Sequence, residues 1–351
     1  MSKLKKIIAI VGARPQFIKH FPFEKAAKNK IDLVTIHTGQ HYDNNMSAVF
    51  FEELGMNRPD YMLQIGSGSH GEQTGKMMIE IEKICLEEKP DGVLVYGDTN
   101  STLAGAIVAS KLHIPVIHVE AGLRSFNKEM PEEVNRVMTD HVADLLLVPS
   151  QTAVDNLLKE GLTKGVYIVG DIMKDLVVYV KDNALYKKPN IKADYYYATL
   201  HRPYNVDEPD RLQFILSQLN SLDKKVIFAA HPRTINRIDS LKNQNSSFQL
   251  TNIELIPPQG YLENLGYLMA SELLITDSGG MQKEAYWLNK KCITIRSETE
   301  WVETINGGAN TLIFNNIEDL KNEILQPVLN WDENLYGDGK SSERIIKILM
   351  N

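Results

Sequence analysis

Asp98, Glu120 and Glu132 are the residues whose types and spacing could do chemistry. Asp98 closes the apolar run GVLVYGD, Glu120 closes IPVIHVE, and Glu132 follows in the loop beyond, within PEEVNR. In an open parallel α/β sheet the carboxyl ends of neighbouring strands line one crevice, and ligands bind there. Three carboxylates delivered to one crevice can supply a general acid and a general base, provided their surroundings separate their pKa values. The bland alternative is helix capping and surface salt bridges. It suits Glu133 well, but it suits Glu120 poorly, because that carboxylate is flanked by His-Val and Ala-Gly-Leu.

A second group of residues suits anions. Gly12-Ala13-Arg14-Pro15 follows the first apolar run and opens a helix, so backbone N–H groups and Arg14 aim at one place. Lys19 lies about one helical turn further on. A tight turn with a solvated arginine is the alternative. Asp277-Ser278-Gly279-Gly280 likewise links the run ELLIT to a helix. Its glycines permit close approach of a phosphate, Ser278 adds a hydroxyl donor, and Glu284 could accept hydrogen bonds from ribose hydroxyls. His201-Arg202 ends YYYATLHR and His231 ends KKVIFAAH, which places both histidines at strand termini beside Arg202 and Arg233. Neither G-x-G-x-x-G nor G-K-[ST] is present, which weakens the classical NAD and ATP readings. With no H-E-x-x-H and no C-x-x-C, the sequence predicts no metal.

The elements that must position these residues are legible in the hydrophobic pattern. KKIIAIVG, IDLVTIHTG, GVLVYGD, IPVIHVEAG and DLLLVPS read as strands separated by helices, the signature of βαβ units with a parallel sheet. The pattern restarts near residue 172. YYYATLH, KKVIFAAHP, IELIPP, ELLITDSGG and KCITIR then read as a second set of strands. We expect domains at 1–171 and 172–351, with a polar hinge in KDNALYKKPNIKAD and a last helix, about 341–351, able to pack back on the first domain. Two α/β domains of near-equal size suggest a ligand in the cleft between them.

Bulk properties narrow the function classes. The chain has 351 residues, 43% hydrophobic and 24% charged, ordinary values for a soluble protein. A net charge of −7 argues against nucleic acid or an anionic membrane as the main partner. Two distant cysteines, Cys85 and Cys292, make no disulfide framework and fit a reducing cytoplasm. No run approaches the ~18 apolar residues of a membrane span.

GARPQFIK, GDTNSTLAGA, HVEAGLRS, PEEVNR, LHRP, HP and DSGGMQKEA occur in this order over nearly the whole chain. In these motifs the sequence resembles the non-hydrolysing UDP-N-acetylglucosamine 2-epimerases. The resemblance implies two Rossmann-like domains of the glycosyltransferase-B type with the active site in the interdomain cleft. It also implies interconversion of UDP-GlcNAc and UDP-ManNAc, without a cofactor, usually by a homodimer, for surface polysaccharide synthesis. Residue by residue, it places Asp98, Glu120, Glu132 and His201 at catalytic positions, and Arg14 and Lys19 at active-site cations. Ser278, Gly279, Gly280 and Glu284 fall on the UDP site, to which Arg202 and His231 are natural neighbours.

The chemistry is consistent with that implication. No carbonyl acidifies the hydrogen on C2 of UDP-GlcNAc, so its direct removal by a carboxylate is implausible. One solution oxidises C3 with NAD, for which the fingerprint is missing. The other expels UDP from C1 while a base takes H2, giving a 2-acetamidoglucal to which UDP returns after protonation on the opposite face. That route needs cations on the diphosphate, two acid/base groups and a closed site.

The chain also departs from the commoner family pattern. Asn264 stands where an aromatic would face uracil, and Trp301-Val302 stands where many members have Arg-Pro, removing one phosphate cation. Gly170-Asp171-Ile172-Met173-Lys174-Asp175 replaces a Gly-Asn-Thr type of stretch. These features resemble the branch that includes epimerases of UDP-2,3-diacetamido-2,3-dideoxyglucuronate. Asp43 and Glu72 fall where some members contact an activating second UDP-GlcNAc, and their charges oppose that role. Open alternatives are the diacetamido-uronate substrate, a hydrolysing epimerase releasing UDP and ManNAc, a retaining glycosyltransferase, and a non-enzymatic UDP-sugar sensor. Which carboxylate is acid and which is base also stays open.

Overall fold

A computed structural model describes residues 3–40, 51, 54–244 and 248–351. Among the described residues every strand pairing is parallel, as helical crossovers that return the chain to the same end of a sheet require. The chain divides into two compact units, residues 1–182 with 334–351, and residues 183–333.

The first unit holds a 7-stranded sheet in the order β3-β2-β1-β4-β5-β6-β7. Its strands are β1 (Lys6–Val11), β2 (Asp32–His37), β3 (Tyr61–Met62), β4 (Gly92–Tyr96), β5 (Val116–Val119), β6 (Leu145–Val148) and β7 (Val166–Ile168). Its helices are α1 (Arg14–Ala27), α2 (His70–Glu88), α3 (Asn100–Lys111), α4 (Pro131–Val142), α5 (Gln151–Lys159), α6 (Ile172–Asp182) and the last helix, α13 (Ser341–Met350). Ile8, Ile10, Val93, Val95 and Val116 pack on one face against Met77 and Ile81 of α2 and Ala104 and Val108 of α3. With helices on both faces, the central strands are apolar without alternation, as β4 shows by being buried throughout.

The second unit holds a 6-stranded sheet in the order β10-β9-β8-β11-β12-β13. Its strands are β8 (Tyr195–Thr199), β9 (Lys225–Ala229), β10 (Ile253–Ile256), β11 (Leu273–Thr276), β12 (Lys291–Thr294) and β13 (Asn310–Leu312). Helices α7 (Pro203–Val206), α8 (Pro209–Asn220), α9 (Pro232–Gln244), α10 (Tyr261–Ala270), α11 (Gly279–Trp287) and α12 (Leu320–Leu325) connect them. Tyr196, Ala198, Phe228 and Ile275 form the core on one face, and Tyr197, Ile227, Leu274 and Cys292 on the other.

The expected boundary near residue 172 falls at the start of α6. That helix packs on α1 and α13, within the first unit, and the chain passes to the second unit at residue 183, inside the polar stretch. The Asp171–Asp175 stretch holds the returning C-terminal segment. Asp171 N–H donates to the Tyr336 carbonyl at 2.8 Å, and Lys174 Nζ donates to the carbonyls of Leu335 and Gly337. The Asp175 carboxylate accepts the Ser341 and Ser342 N–H groups at 2.9 and 2.7 Å. An acidic side chain there satisfies amides that open α13 and favours the positive end of its dipole.

Candidate active site

Each sheet reverses its strand order once, between β1 and β4 in the first and between β8 and β11 in the second. At such a switch point the connections leave the two strands in opposite directions and open a crevice beyond their carboxyl ends. The residues that follow β1 and β4 are Gly12-Ala13-Arg14 and Gly97-Asp98-Thr99. Those that follow β8 and β11 are Leu200-His201-Arg202 and Asp277-Ser278-Gly279. Arg14, Asp98, His201, Arg202, Ser278 and Gly279 therefore follow the four strands at which topology favours ligands, while Glu120 and His231 follow the neighbouring strands β5 and β9 and Glu132 lies on α4.

Gln16 ties the first switch point together. Its side-chain oxygen accepts the Gly12 and Ala13 N–H groups at 2.7 and 3.1 Å, and its amide donates to the Tyr96 carbonyl and the Thr99 and Thr102 hydroxyls at 3.0 Å each. Gly12 is obligatory here, because a Cβ would lie 2.2 Å from both the Thr38 and Ser101 hydroxyl oxygens. One helical turn into α1, Lys19 is 5% exposed, and its ammonium forms an ion pair with Glu120 at 2.7 Å. Arg14 is half-buried at the start of α1.

Glu120 adopts φ of +72°, a left-handed conformation rare for a residue with a Cβ. It is held there because Glu120 and Ala121 both donate their N–H groups to the Leu147 carbonyl, at 3.0 and 3.2 Å. Strain of this kind costs on the order of 1–3 kcal/mol and accumulates where a side chain must be aimed. Gly97, at φ of +63°, lies against the pair: a Cβ on it would be 3.1 Å from Lys19 Nζ and 3.8 Å from Glu120 Oε1. Asp98, the next residue, is partly exposed and pairs with Arg136 of α4. Asp98, Glu120 and Lys19 thus converge on one turn.

Glu132 stands on the first turn of α4 rather than in a free loop. It is half-buried and makes no hydrogen bond or ion pair with the described residues. Its neighbour Glu133 is structural, but buried rather than on the surface. It is 3% exposed, accepts the Ser125 and Phe126 N–H groups at 2.9 Å each, and pairs with Arg136 at 3.2 Å. Asp43 lies outside the described residues. Glu72 is exposed and pairs with Lys76 at 2.7 Å.

The second switch point is built around a carboxylate that the sequence reading did not single out. Asp277 is fully buried and accepts the His201 and Arg202 N–H groups at 3.0 Å, the Asn205 amide at 3.0 Å, and His201 Nδ1 at 3.0 Å. Burial alone would push its carboxyl up, but His201, Asn205 and the Arg202 N–H outweigh that and hold it below the usual carboxylate range. The pairing fixes Nδ1 of His201 as the protonated side when the ring is neutral and leaves Nε2 available on a side chain that is 52% exposed. Its position after the apolar run ELLIT was the signal that could have found Asp277.

Ser278 is the N-cap of α11, yet its hydroxyl makes no capping hydrogen bond, and Gly279 and Gly280 form the first turn. Around that turn stand Arg296 and Trp301. A Cβ on Gly279 would be 3.6 Å from Arg296 Nη1 and from Trp301 Nε1. Arg296 is buried and paired with Glu300 at 3.1 and 3.2 Å. Lys283 is buried too, with its ammonium 3.6 Å from the Trp301 ring centroid, a cation–π contact. Cations therefore stand beside Trp301: Arg296, from the same loop and paired with Glu300, and Lys283, from α11. Glu284 is buried on α11. His231, after β9, is exposed and accepts the Arg233 N–H at 3.4 Å. Asn264 accepts a hydrogen bond from the Tyr197 hydroxyl at 2.7 Å. Among the described residues no group of His, Cys, Asp and Glu is arranged to hold a metal, and no helix is long and apolar enough to cross a membrane.

A family model for UDP-N-acetylglucosamine 2-epimerase matches residues 24–350. The chain belongs to that family. It is 47% identical to the UDP-N-acetylglucosamine 2-epimerase of Methanocaldococcus jannaschii, with 98% of each chain covered. It is 45% identical to the UDP-2,3-diacetamido-2,3-dideoxy-D-glucuronate 2-epimerase of Pseudomonas aeruginosa, over 98% of this chain and 99% of that one. The crystal structure of the M. jannaschii UDP-GlcNAc 2-epimerase in complex with UDP-GlcNAc and UDP matches with a TM-score of 0.88, covering 98% of this chain and 99% of that chain. The fold is accordingly that of the epimerase family: two Rossmann-like α/β units of the glycosyltransferase-B type. The chain is an isomerase by family.

Proposed function

We propose that the protein is a non-hydrolysing UDP-N-acetylglucosamine 2-epimerase that interconverts UDP-GlcNAc and UDP-ManNAc. The observation that carries the reading is the buried Lys19–Glu120 ion pair beside Gly97-Asp98, at the carboxyl edge of the first sheet. It brings two carboxylates and a cation to one turn. In this reading Asp98, Glu120 and Glu132 supply the acid and base, and His201 and Arg14 stabilise the departing diphosphate. Arg202, His231, Ser278, Gly279, Gly280 and Glu284 bind UDP. A carboxylate takes H2 as the C1–O bond breaks, and UDP leaves with the electron pair. The resulting 2-acetamidoglucal is protonated at C2 on the other face, and UDP re-adds at C1. The enzyme acts without metal or nicotinamide, in the cytoplasm and as a homodimer, for surface polysaccharide synthesis.

A second substrate is favoured by specific residues. Asn264 is held by Tyr197, and Trp301 covers Lys283, in a chain 45% identical to a diacetamido-uronate epimerase. The test is incubation with each UDP-sugar in D₂O, followed by NMR. Deuterium at C2 of both epimers, with only a minor leak of UDP, is expected. Stoichiometric UDP and free sugar would place the enzyme in the hydrolysing class, and retention of the original C2 hydrogen would exclude elimination. A blank with UDP-GlcNAc but turnover of the uronate would change the substrate and leave the mechanism.

A further inference from the structure

Beneath the Gly97-Asp98 turn lies a fully buried histidine to which the reaction above assigns nothing. His118, on β5, is 0% exposed. Its Nε2 is 2.7 Å from the Gly97 carbonyl and its Nδ1 is 2.6 Å from Asp140 Oδ1 on α4. A carbonyl oxygen only accepts, so Nε2 must carry a proton. The other oxygen of Asp140 accepts the Gly122 N–H at 3.1 Å and Arg124 Nη1 at 2.7 Å. Burial alone would push the Asp140 carboxyl up, but His118 and Arg124 beside it outweigh that and hold it below the usual carboxylate range, so Asp140 is ionised and accepts, and Nδ1 donates as well. Both ring nitrogens bear protons.

We propose that His118 is a buried imidazolium acting as a positioning residue, which clamps the Gly97 carbonyl and so aims Asp98 and the Lys19–Glu120 pair at the reacting carbon. The inference rests on the acid/base reading of Asp98 and Glu120. The charges around the ring alternate in space. His118 faces Asp140 of α4, Asp140 faces Arg124 of the loop after β5, and Arg124 is held by both oxygens of Glu160 at 2.7 Å, which also meets His141 at 3.2 Å. On the far side of Gly97 stand Lys19 and Glu120. A buried cation with matched counter-charges is a stiff anchor, because letting go of either acceptor strands a charge away from water. The Gly97 N–H donates to the Val119 carbonyl at 3.0 Å, which holds the peptide before it, and His118 holds the carbonyl of the peptide after it, whose rotation would swing Asp98. The next carbonyl, that of Asp98, is held by Asn135 Nδ2 at 2.9 Å, so two successive carbonyls are fixed.

Two neutral replacements separate positioning from bulk stability. His118→Gln can place its amide near the former Nε2 and still donate to Gly97, whereas the shorter His118→Asn reaches toward Asp140 alone. H118N should lose about 10²-fold in kcat, the scale of a misplaced catalytic group, with the Kd for UDP unchanged. H118Q should recover most of that kcat at a similar melting temperature. Equal losses in the two variants, tracking melting temperature, would overturn the proposal. Histidine-ring ¹⁵N NMR on the unmutated protein decides even if neither variant folds. One ring, protected from exchange, should carry both N–H protons, as its two acceptors require. A neutral tautomer at that ring would overturn it. A failure of the parent enzyme to epimerise either UDP-sugar would instead remove the acid/base reading, and the ring signals would still report on His118.

Discussion

The two switch points share a strand order but not a state of readiness. In the first unit the side chains at the turns are paired with one another, Lys19 with Glu120 and Asp98 with Arg136, and Gln16 bridges both turns. In the second, Asp277 organises the backbone from below, while the Ser278 hydroxyl makes no capping bond and His201 is half exposed. A site full of paired charges suits proton transfer, where each group needs a fixed direction and a tuned acidity. A helix N-terminus with an uncommitted hydroxyl suits an anion arriving from solution. The difference teaches that one strand order, used twice, can carry two unlike sites, one of paired charges and one of backbone donors.

The largest expected break in that comparison comes from removing charge in the first unit. Asp98→Asn and Glu120→Gln should each lower turnover by about 10²–10⁴-fold while leaving UDP affinity, measured by calorimetry, close to that of the parent. Parent-like turnover in either variant would mean that the first switch point is not where protons move.

Stability should also respond to pH through the first unit. His20 is buried against the Tyr96 hydroxyl at 2.9 Å and the Thr35 hydroxyl at 3.0 Å, and burial lowers its pKa to about 4. Between that value and the unfolded value the unfolded chain binds more protons, so stability falls as pH drops through this window. The full loss is on the order of 3 kcal/mol below pH 4. Melting curves of the parent against His20→Gln should converge as the pH is lowered from about 7 to about 4. Parallel curves would assign the acid sensitivity to other groups.

Smaller effects belong to the second unit. Ser278→Ala should weaken UDP binding by about 1.5–3 kcal/mol, the worth of one hydrogen bond to a charged acceptor, and change kcat at saturating substrate far less than either carboxylate variant. If kcat fell as steeply as in Asp98→Asn, binding and chemistry would not be divided between the units. The smallest expected effect is that of a chelator. Dialysis against EDTA should leave the rate unchanged, and loss of activity restored by a divalent ion would place a metal at one of the two turns.

Most of the strands were legible because both sheets bury both faces, and buried parallel strands read as unbroken apolar runs. KKIIAIVG, GVLVYGD and ELLIT coincide with β1, β4 and β11. The edge strands β3 and β13, two and three residues long, have no such run and do not stand out from loop. The turn chemistry of Gly12, Gly97 and Ser278-Gly279-Gly280 was legible because glycine and serine at a strand–helix junction signal a backbone that must bend sharply or approach closely.

What the sequence determined by itself was the kind of fold, the family and the inventory of acids, cations and phosphate-type turns, since apolar periodicity and short motifs are local. Only the tertiary structure decided which of them meet. Lys19 and Glu120, on separate elements of the first unit, form one ion pair, Lys283 of α11 packs its ammonium on the Trp301 ring, and Asp277 rather than any neighbour in sequence orients His201. His118 is the clearest case: within HVEAG it reads as part of a strand. Its two ring nitrogens meet a carbonyl on β4's turn and a carboxylate on α4, brought to them by strand pairing and helix packing. Hydrogen-bond partners contributed by other elements are set by packing, and no local pattern encodes them.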